Sequence, residues 1–291
     1  MTTVLERPWS NRQLAELGKA IRAGREAPKG VPEYEEVMLW YSELLTPVQQ
    51  RIQNTDWSAL GLGNVQGFEL TSRVKTQSTL RDKLNRYPSQ KLQTIRDIAG
   101  VRFEADMTLS QQNAIVLAML GLFHDSSEGR VIDLRENDQH GYRAVHVEFR
   151  FGPPTHARVE LQVRTLLQGK WANLYETAAD LFGREIRYAE AGDLLGGRDI
   201  VEMLKELSRD RIATIEELLD RTVQLERSYV NMGDISILPL EIQEQVGWVV
   251  DRLQAIRENV GHRKDRLRVS IENMTDVLKQ ATGSRRGDAQ E

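Results

Sequence analysis

Cysteine is missing from all 291 residues, which excludes disulfides, thiolate chemistry and cysteine-ligated zinc. Long apolar runs are missing too: nothing approaches the roughly 18 apolar residues that a bilayer crossing needs. The first stretch, Met1 to Gln13, lacks the hydrophobic core of an export signal. Positive charge is not in excess, and a net charge of -4 argues against a protein that coats nucleic acid. Together these absences predict a cytoplasmic protein with no membrane partner.

What is present is a globular composition, 40% hydrophobic and 28% charged, in a length that suits one large domain or two modest ones. The average charge hides two basic patches. One is Arg7, Arg12, Lys19, Arg22, Arg25 and Lys29; the other is Arg257, His262, Arg263, Lys264, Arg266 and Arg268. Either is a candidate RNA contact, though such runs usually form a solvated helix face.

Hydrophobic spacing divides the chain into three segments: helices over 1–65, an α+β core over 66–190 and a helical extension over 191–291. Leu14, Leu17 and Ile21 mark a first helix that Gly24 stops, and residues 34–53 a second, which Pro47 is expected to bend or interrupt. Gly61 to Asn64 reads as a linker. Strand and helix then alternate: strand 68–74, helix 76–86, strand 98–105, helix 108–122. Short strands follow near 129–134, 143–151 and 157–164, with turns at Gly141 and at Gly152-Pro153-Pro154. The expected core is a mixed sheet with helices packed on it. After 190 only helical signals remain: one helix from Ile200 to about Tyr229, a connector from Asn231 to Pro239, and a helical region over 240–280 weakened at Gly261. The tail from Gly283 is predicted to be disordered.

The most informative stretch is Val159 to Thr165. Glu160, Gln162 and Arg164 alternate with Val159, Leu161 and Val163, so a strand with one buried face lays a carboxylate, an amide and a guanidinium in line on the other. A helix starts near Thr165. Upstream, Arg73 and Lys75 end a strand and Thr79 and Lys83 lie on the next helix. Cations beside a helix N-terminus can cradle phosphate. Asp97 enters a buried strand that carries Arg102, and a carboxylate there needs a partner. That partner is either Mg²⁺ bound to a nucleotide or an arginine, Arg73 or Arg164. Tyr142 follows Gly141 in a turn, where an aromatic either stacks on a base or covers a core edge. His146 shares a strand face with Ala144 and Glu148. His124-Asp125 ends an apolar helix and reads as a polar helix terminus, not as a metal dipeptide.

In this order Arg73/Lys75, Asp97/Gly100/Arg102, Gly141-Tyr142-Arg143/His146, Glu160/Gln162/Arg164-Thr165 and Trp171-Ala172 resemble the synthetase domain of RelA/SpoT proteins. The single-domain small alarmone synthetases and their toxic relatives are most similar. The resemblance implies transfer of pyrophosphate from ATP to a ribose 3′-hydroxyl, with AMP leaving. It implies that Arg73 and Arg102 sandwich the adenine, that Lys75 and Lys83 hold the ATP phosphates and that His146 lies close to them. Asp97 would hold Mg²⁺, with Glu160 as general base or assisting the metal. Tyr142 would stack on the acceptor base, with Gln162 and Arg164 supporting the site.

Departures fall on the acceptor side. Ile132-Asp133-Leu134-Arg135 and Asp138-Gln139-His140 replace the family's usual segments before Gly-Tyr, Thr79 replaces a serine, and Tyr175-Glu176 replaces Glu-His. The implied acceptor is GDP or GTP. The alternatives are the 3′ end of tRNA, which would make a translation-blocking toxin with an antitoxin partner, and a silent nucleotide-binding module. No hydrolase segment precedes the motifs, so degradation of the product is not expected. The C-terminal helices are candidates for self-association or for receiving a partner.

Overall fold

The computed structural model describes residues 5–62, 67–136, 140–183, 186, 197–231, 233 and 235–287, and these separate into two compact units. Part of the linker after Gly61 and the Asp138-Gln139 pair lie outside the described residues. The first unit comprises residues 1–106, 111–133 and 144–164; the second comprises 107–110, 134–143 and 165–291.

In the first unit, helix α1 (Asn11–Ala23) starts where the Ser10 hydroxyl accepts from the Gln13 amide and ends at Gly24, whose φ of 62° is the left-handed stop its lack of a side chain permits. Helix α2 (Tyr34–Gln53) keeps Pro47 inside it and buries Val37, Met38, Tyr41, Leu44, Leu45, Val48 and Ile52. Two members of the N-terminal basic patch are tied inward: Arg7 donates to the His156 carbonyl and Arg22 to the Leu84 and Gln90 carbonyls.

Strands β1 (Phe68–Val74), β2 (Ala99–Ala105), β3 (Ser127–Asp133), β4 (Val145–Phe151) and β5 (Ala157–Thr165) form one mixed sheet in the order β1-β2-β5-β4-β3. β1/β2, β3/β4 and β4/β5 are antiparallel. Helix α3 (Gln77–Arg86) follows β1, and α4 (Leu109–Phe123) follows β2. Strict alternation sends Val101, Phe103, Val159, Leu161, Val163, Val147 and Phe149 into the core with Ile115, Met119 and Phe123 of α4. Phe103 stacks on Phe68 at 4.6 Å and meets Trp57 edge-on at 5.6 Å. From β1 to β5 the strands and helices stand within two residues of their expected ends, and the turn before β5 holds a cis Pro153–Pro154 bond.

The second unit is built on helix α5 (Leu166–Phe182), capped at Thr165 by a reciprocal bond with Gln168. Leu167, Trp171, Leu174, Tyr175 and Ala178 of α5 pack with Val201, Leu204, Ile212 and Ile271. The expected single helix over 200–229 is instead α6 (Gly197–Glu206), a π-helical segment (Leu207–Ile212) and α7 (Ala213–Val230). The last helix, α8 (Leu240–Gly287), runs 48 residues straight through Gly261. It buries a stripe of Leu253, Val260, Ile271 and Thr275, spacings of seven, eleven and four that return to one helix face. That stripe carries it past Gly261, and the helix runs on through Gly283 to Gly287, where the sequence suggested a disordered tail; residues 288–291 lie outside the described residues. No helix among the described residues is long and apolar enough to cross a membrane.

Candidate active site

The sheet's second face is polar, and the same period of two builds it. Arg73 of β1 stands opposite Gly100 of β2, and Thr71 opposite Arg102. Cross-strand partners share a face, so Arg73 and Arg102 are diagonal neighbours with a bare glycine between them. A side chain at Gly100 would approach the Glu160 carbonyl of β5, 3.7 Å from its Cβ. Glycine therefore leaves open backbone beside two guanidiniums, of which Arg73 is exposed and Arg102 half-buried.

Asp97, just ahead of β2, is gripped on both oxygens. Lys75 Nζ lies 2.6 Å from Oδ2 and Lys83 Nζ lies 2.8 Å from Oδ1. Lys75 is fixed because its amide donates to the Ile98 carbonyl and its carbonyl accepts from the Tyr34 hydroxyl. Lys83 comes from α3, which starts at the Thr76 cap. Burial pushes the Asp97 carboxyl up, but the two ammonium groups more than offset it and hold it below its ordinary value. Of the arginines considered as its partner, neither appears in these ion pairs; two lysines take that place.

Glu160 of β5 forms the second cluster. In the β4/β5 register it faces Glu148, and two carboxylates directly opposite repel. Each turns to a side-chain nitrogen instead. Glu148 accepts from Arg96 at 3.0 Å, and Glu160 Oε1 meets His146 Nδ1 diagonally at 3.1 Å. Gln162 donates to Glu160 Oε2 at 2.7 Å, and Arg164 donates to the Gln162 amide oxygen at 2.7 Å. Burial pushes the Glu160 carboxyl up, His146 and Gln162 pull it down, and the nearby Asp97 charge pushes it up again; the net direction is down. The charge of Asp97 thus reaches Glu160.

Arg164 departs from expectation. It was read onto a bare face, yet its side chain is only 3% exposed, sealed against Glu104 at 3.4 Å. Glu104 also lies 3.6 Å from Arg102. Sequence reading missed Glu104, although its place two residues after Arg102 puts it on the same strand face. The His146–Glu160 pair was also missed, because register cannot be read from either strand alone.

Tyr142 belongs to the second unit. It follows Gly141, whose φ is 88°, and is half-buried against the cluster around Trp171 and Leu204. Thr79 shares a hydroxyl contact with Thr76 at the start of α3. His124 and Asp125 pair with each other at 2.8 Å in the open, beyond the end of α4.

Among the described residues, no three His, Cys, Asp or Glu side chains gather into a metal cage. Mg²⁺ bound with a nucleotide needs only one or two carboxylates, because phosphates and water fill its other positions. Asp97 and Glu160 fit that requirement: both are oxygen donors, and Asp97 is already poised among cations that a triphosphate would attract.

Comparison with known proteins bears on the family and the fold. Residues 72–181 match the family model described as the region found in RelA / SpoT proteins. An uncharacterized protein of Mycobacterium tuberculosis is 44% identical over 200 residues, 69% of this chain and 70% of that protein. The GTP pyrophosphokinase YjbM of Bacillus subtilis is 28% identical over 153 residues, 46% of this chain and 70% of that protein. Among solved structures, the small alarmone synthetase 1 of Bacillus subtilis superposes with a TM-score of 0.51 at 18% identity, covering 68% of this chain and 97% of that one. With the family model matched over residues 72–181 and a relative aligned over more than two thirds of both lengths, this chain belongs to the RelA/SpoT family and carries its synthetase domain.

Proposed function

We propose that the protein is an Mg²⁺- and ATP-dependent pyrophosphokinase that transfers the β,γ-pyrophosphate of ATP to the 3′-hydroxyl of GDP or GTP. The observation that carries this reading is Asp97, held between Lys75 and Lys83 with both oxygens engaged, beside an ionised Glu160 that feels its charge. The name of the similar YjbM, a GTP pyrophosphokinase, supports the guanine acceptor.

Transfer of this kind needs in-line placement and charge neutralisation more than covalent help. Arg73 and Arg102 present two planar cations around bare backbone at Gly100, which suits a flat base held between guanidiniums. Lys75 and Lys83 pass from Asp97 to the incoming phosphates. Asp97 and Glu160 would hold Mg²⁺, which would further neutralise the phosphate charge. The acceptor 3′-oxygen attacks the β-phosphorus, the bond from that phosphorus to the α,β-bridging oxygen breaks, and AMP leaves.

Glu160 receives the hydroxyl proton. A carboxylate held below its ordinary range is a weak base. It therefore orients the hydroxyl first and takes the proton late, as the new bond forms. The carboxylate can only accept, so His146 Nδ1 carries the hydrogen in their 3.1 Å contact and fixes the carboxylate's orientation. Tyr142 stacks on the acceptor base.

The test is incubation with ATP labelled at the γ-phosphate and a panel of GDP, GTP, ADP, ATP and deacylated tRNA. Label on GDP or GTP at the 3′ position is the expected result. Label on tRNA would replace the acceptor and make the protein an RNA-modifying toxin. Label on no acceptor, with ATP bound, would leave a nucleotide-binding module.

A further inference from the structure

The turn Gly141-Tyr142-Arg143 is clamped from inside the second unit, and two of the clamping residues, Ser208 and Glu216, lie in no motif. Gly141 has a φ of 88°, and a Cβ there would lie 2.9 Å from Trp171 Cζ2 and 3.1 Å from the Lys205 backbone. Only glycine tolerates both demands. Its carbonyl accepts from the buried Ser208 hydroxyl at 2.5 Å. Behind it, Trp171 is fixed because its indole N–H donates to the Leu204 carbonyl at 2.7 Å. On the far side of Tyr142, Arg143 donates to the Arg135 carbonyl at 2.8 Å and lies 3.6 Å from Glu216. Glu216 is itself locked: the Thr165 hydroxyl and the Gln168 amide, both at the start of α5, donate to its two oxygens.

The helix that supplies these groups is shaped for the task. Leu204, Ser208, Ile212 and Glu216 are spaced by four, and all are buried. In an unbroken α-helix of 3.6 residues per turn, such a series drifts steadily around the axis. The π-helical segment Leu207–Ile212 takes more residues per turn and brings the series back. All four side chains then face one way, and two of them grip the turn. A π segment costs helix regularity, so its place under the turn calls for a use.

We propose that Ser208 and Glu216 are positioning residues for acceptor recognition, holding the Gly141–Arg143 turn so that Tyr142 presents its ring to the acceptor base. This rests on the role given to Tyr142 above. Neither residue touches ATP or the acceptor, so the effect of losing either falls on acceptor binding.

The test compares Ser208→Ala, which removes one hydroxyl, and Glu216→Gln, which keeps the shape but cannot ionise beside Arg143. Steady-state kinetics with ATP and GDP are measured for both, together with amide hydrogen exchange over residues 140–144 and the melting temperature. The expected result is an acceptor KM raised about threefold to tenfold in each variant, with kcat and the ATP KM unchanged within about twofold. Exchange over 140–144 quickens in both. Equal loss on both substrates, or no change on either, overturns the proposal. Should the wild type label none of the acceptors, the functional reading fails, and exchange in Ser208→Ala decides the clamp alone. Faster exchange at unchanged melting temperature upholds it; unchanged exchange ends it.

Discussion

Asp97 and Glu216 are both acidic side chains that meet basic groups, yet their surroundings push them in opposite directions. Asp97 keeps about a quarter of its side chain exposed, has an ammonium on each oxygen and is held below its ordinary range. Glu216 is enclosed and takes neutral donors on both oxygens, with Arg143 as its nearest cation at 3.6 Å. There burial wins and the carboxyl is pushed up. Asp97 is a charge open to exchange, because each of its oxygens meets a partly exposed ammonium group that a stronger anion can draw away. Glu216 is a charge, or a proton, that has nowhere to go. One suits transient chemistry, and the other holds a shape.

The sharpest way to break this contrast is Asp97→Ala. If Asp97 belongs to the reacting site, transfer falls by about 10⁴-fold in kcat/KM, while chemical denaturation shows a stability change near zero, within about 1 kcal/mol, since the partly exposed pair is screened. Label transfer and a urea titration read both numbers. Retained transfer would remove Asp97 from the mechanism. Glu160→Gln sharpens the same side. Its fold is kept through the Gln162 and His146 neighbours, and turnover drops about 10³-fold, near 4 kcal/mol of barrier. A full-rate Glu160→Gln enzyme would exclude proton acceptance by that side chain.

Glu216→Ala reverses the pattern. It strands a buried guanidinium at Arg143 and leaves the Thr165 and Gln168 donors without an acceptor. The expected loss is about 3 kcal/mol of unfolding free energy, far more than Asp97→Ala costs. Equal losses in the two variants would erase the distinction between an exchangeable and a locked carboxylate.

The exchangeable side was legible in the sequence and the locked side was not, for a physical reason. Glu160, Gln162 and Arg164 stood out because a period of two separates a polar face from an apolar one within a single strand. Thr165 and Gly24 stood out because caps and left-handed stops are local. Arg164 was placed on the right face, but its burial depends on Glu104 of a neighbouring strand, and register joins strands that are remote in the chain. Glu216 sits in Ile215-Glu216-Glu217-Leu218, where a glutamate pair on an amphipathic helix reads as solvent-facing. The available clue was its distance of four from Ile212, on the buried stripe. The π segment beneath that stripe has no residue signature, since Leu207 to Ile212 is ordinary helix-forming sequence. Only packing around Gly141 and Trp171 selects it.

The smallest expected effect follows from the direction in which Glu216 is shifted. Its carboxyl is raised above the unfolded value of 4.5 by burial, against the opposing pull of Thr165, Arg143, Gln168 and Arg135. Between the unfolded and folded values the native state binds more protons than the unfolded chain, so stability falls as pH rises through that window. The penalty begins above 4.5 and levels off once pH exceeds the folded value. Glu216→Gln cannot titrate and lacks this slope, although it carries a constant offset from its altered hydrogen bonds. Unfolding free energies of the two proteins, measured from about pH 5 to about pH 8, should therefore draw together, or cross, as pH rises, by at most about 1.4 kcal/mol per pH unit. A gap that stays flat would mean that the Arg143 guanidinium keeps Glu216 ionised throughout. Glu216 would then behave as Asp97 does, and the contrast between the two carboxylates would be lost.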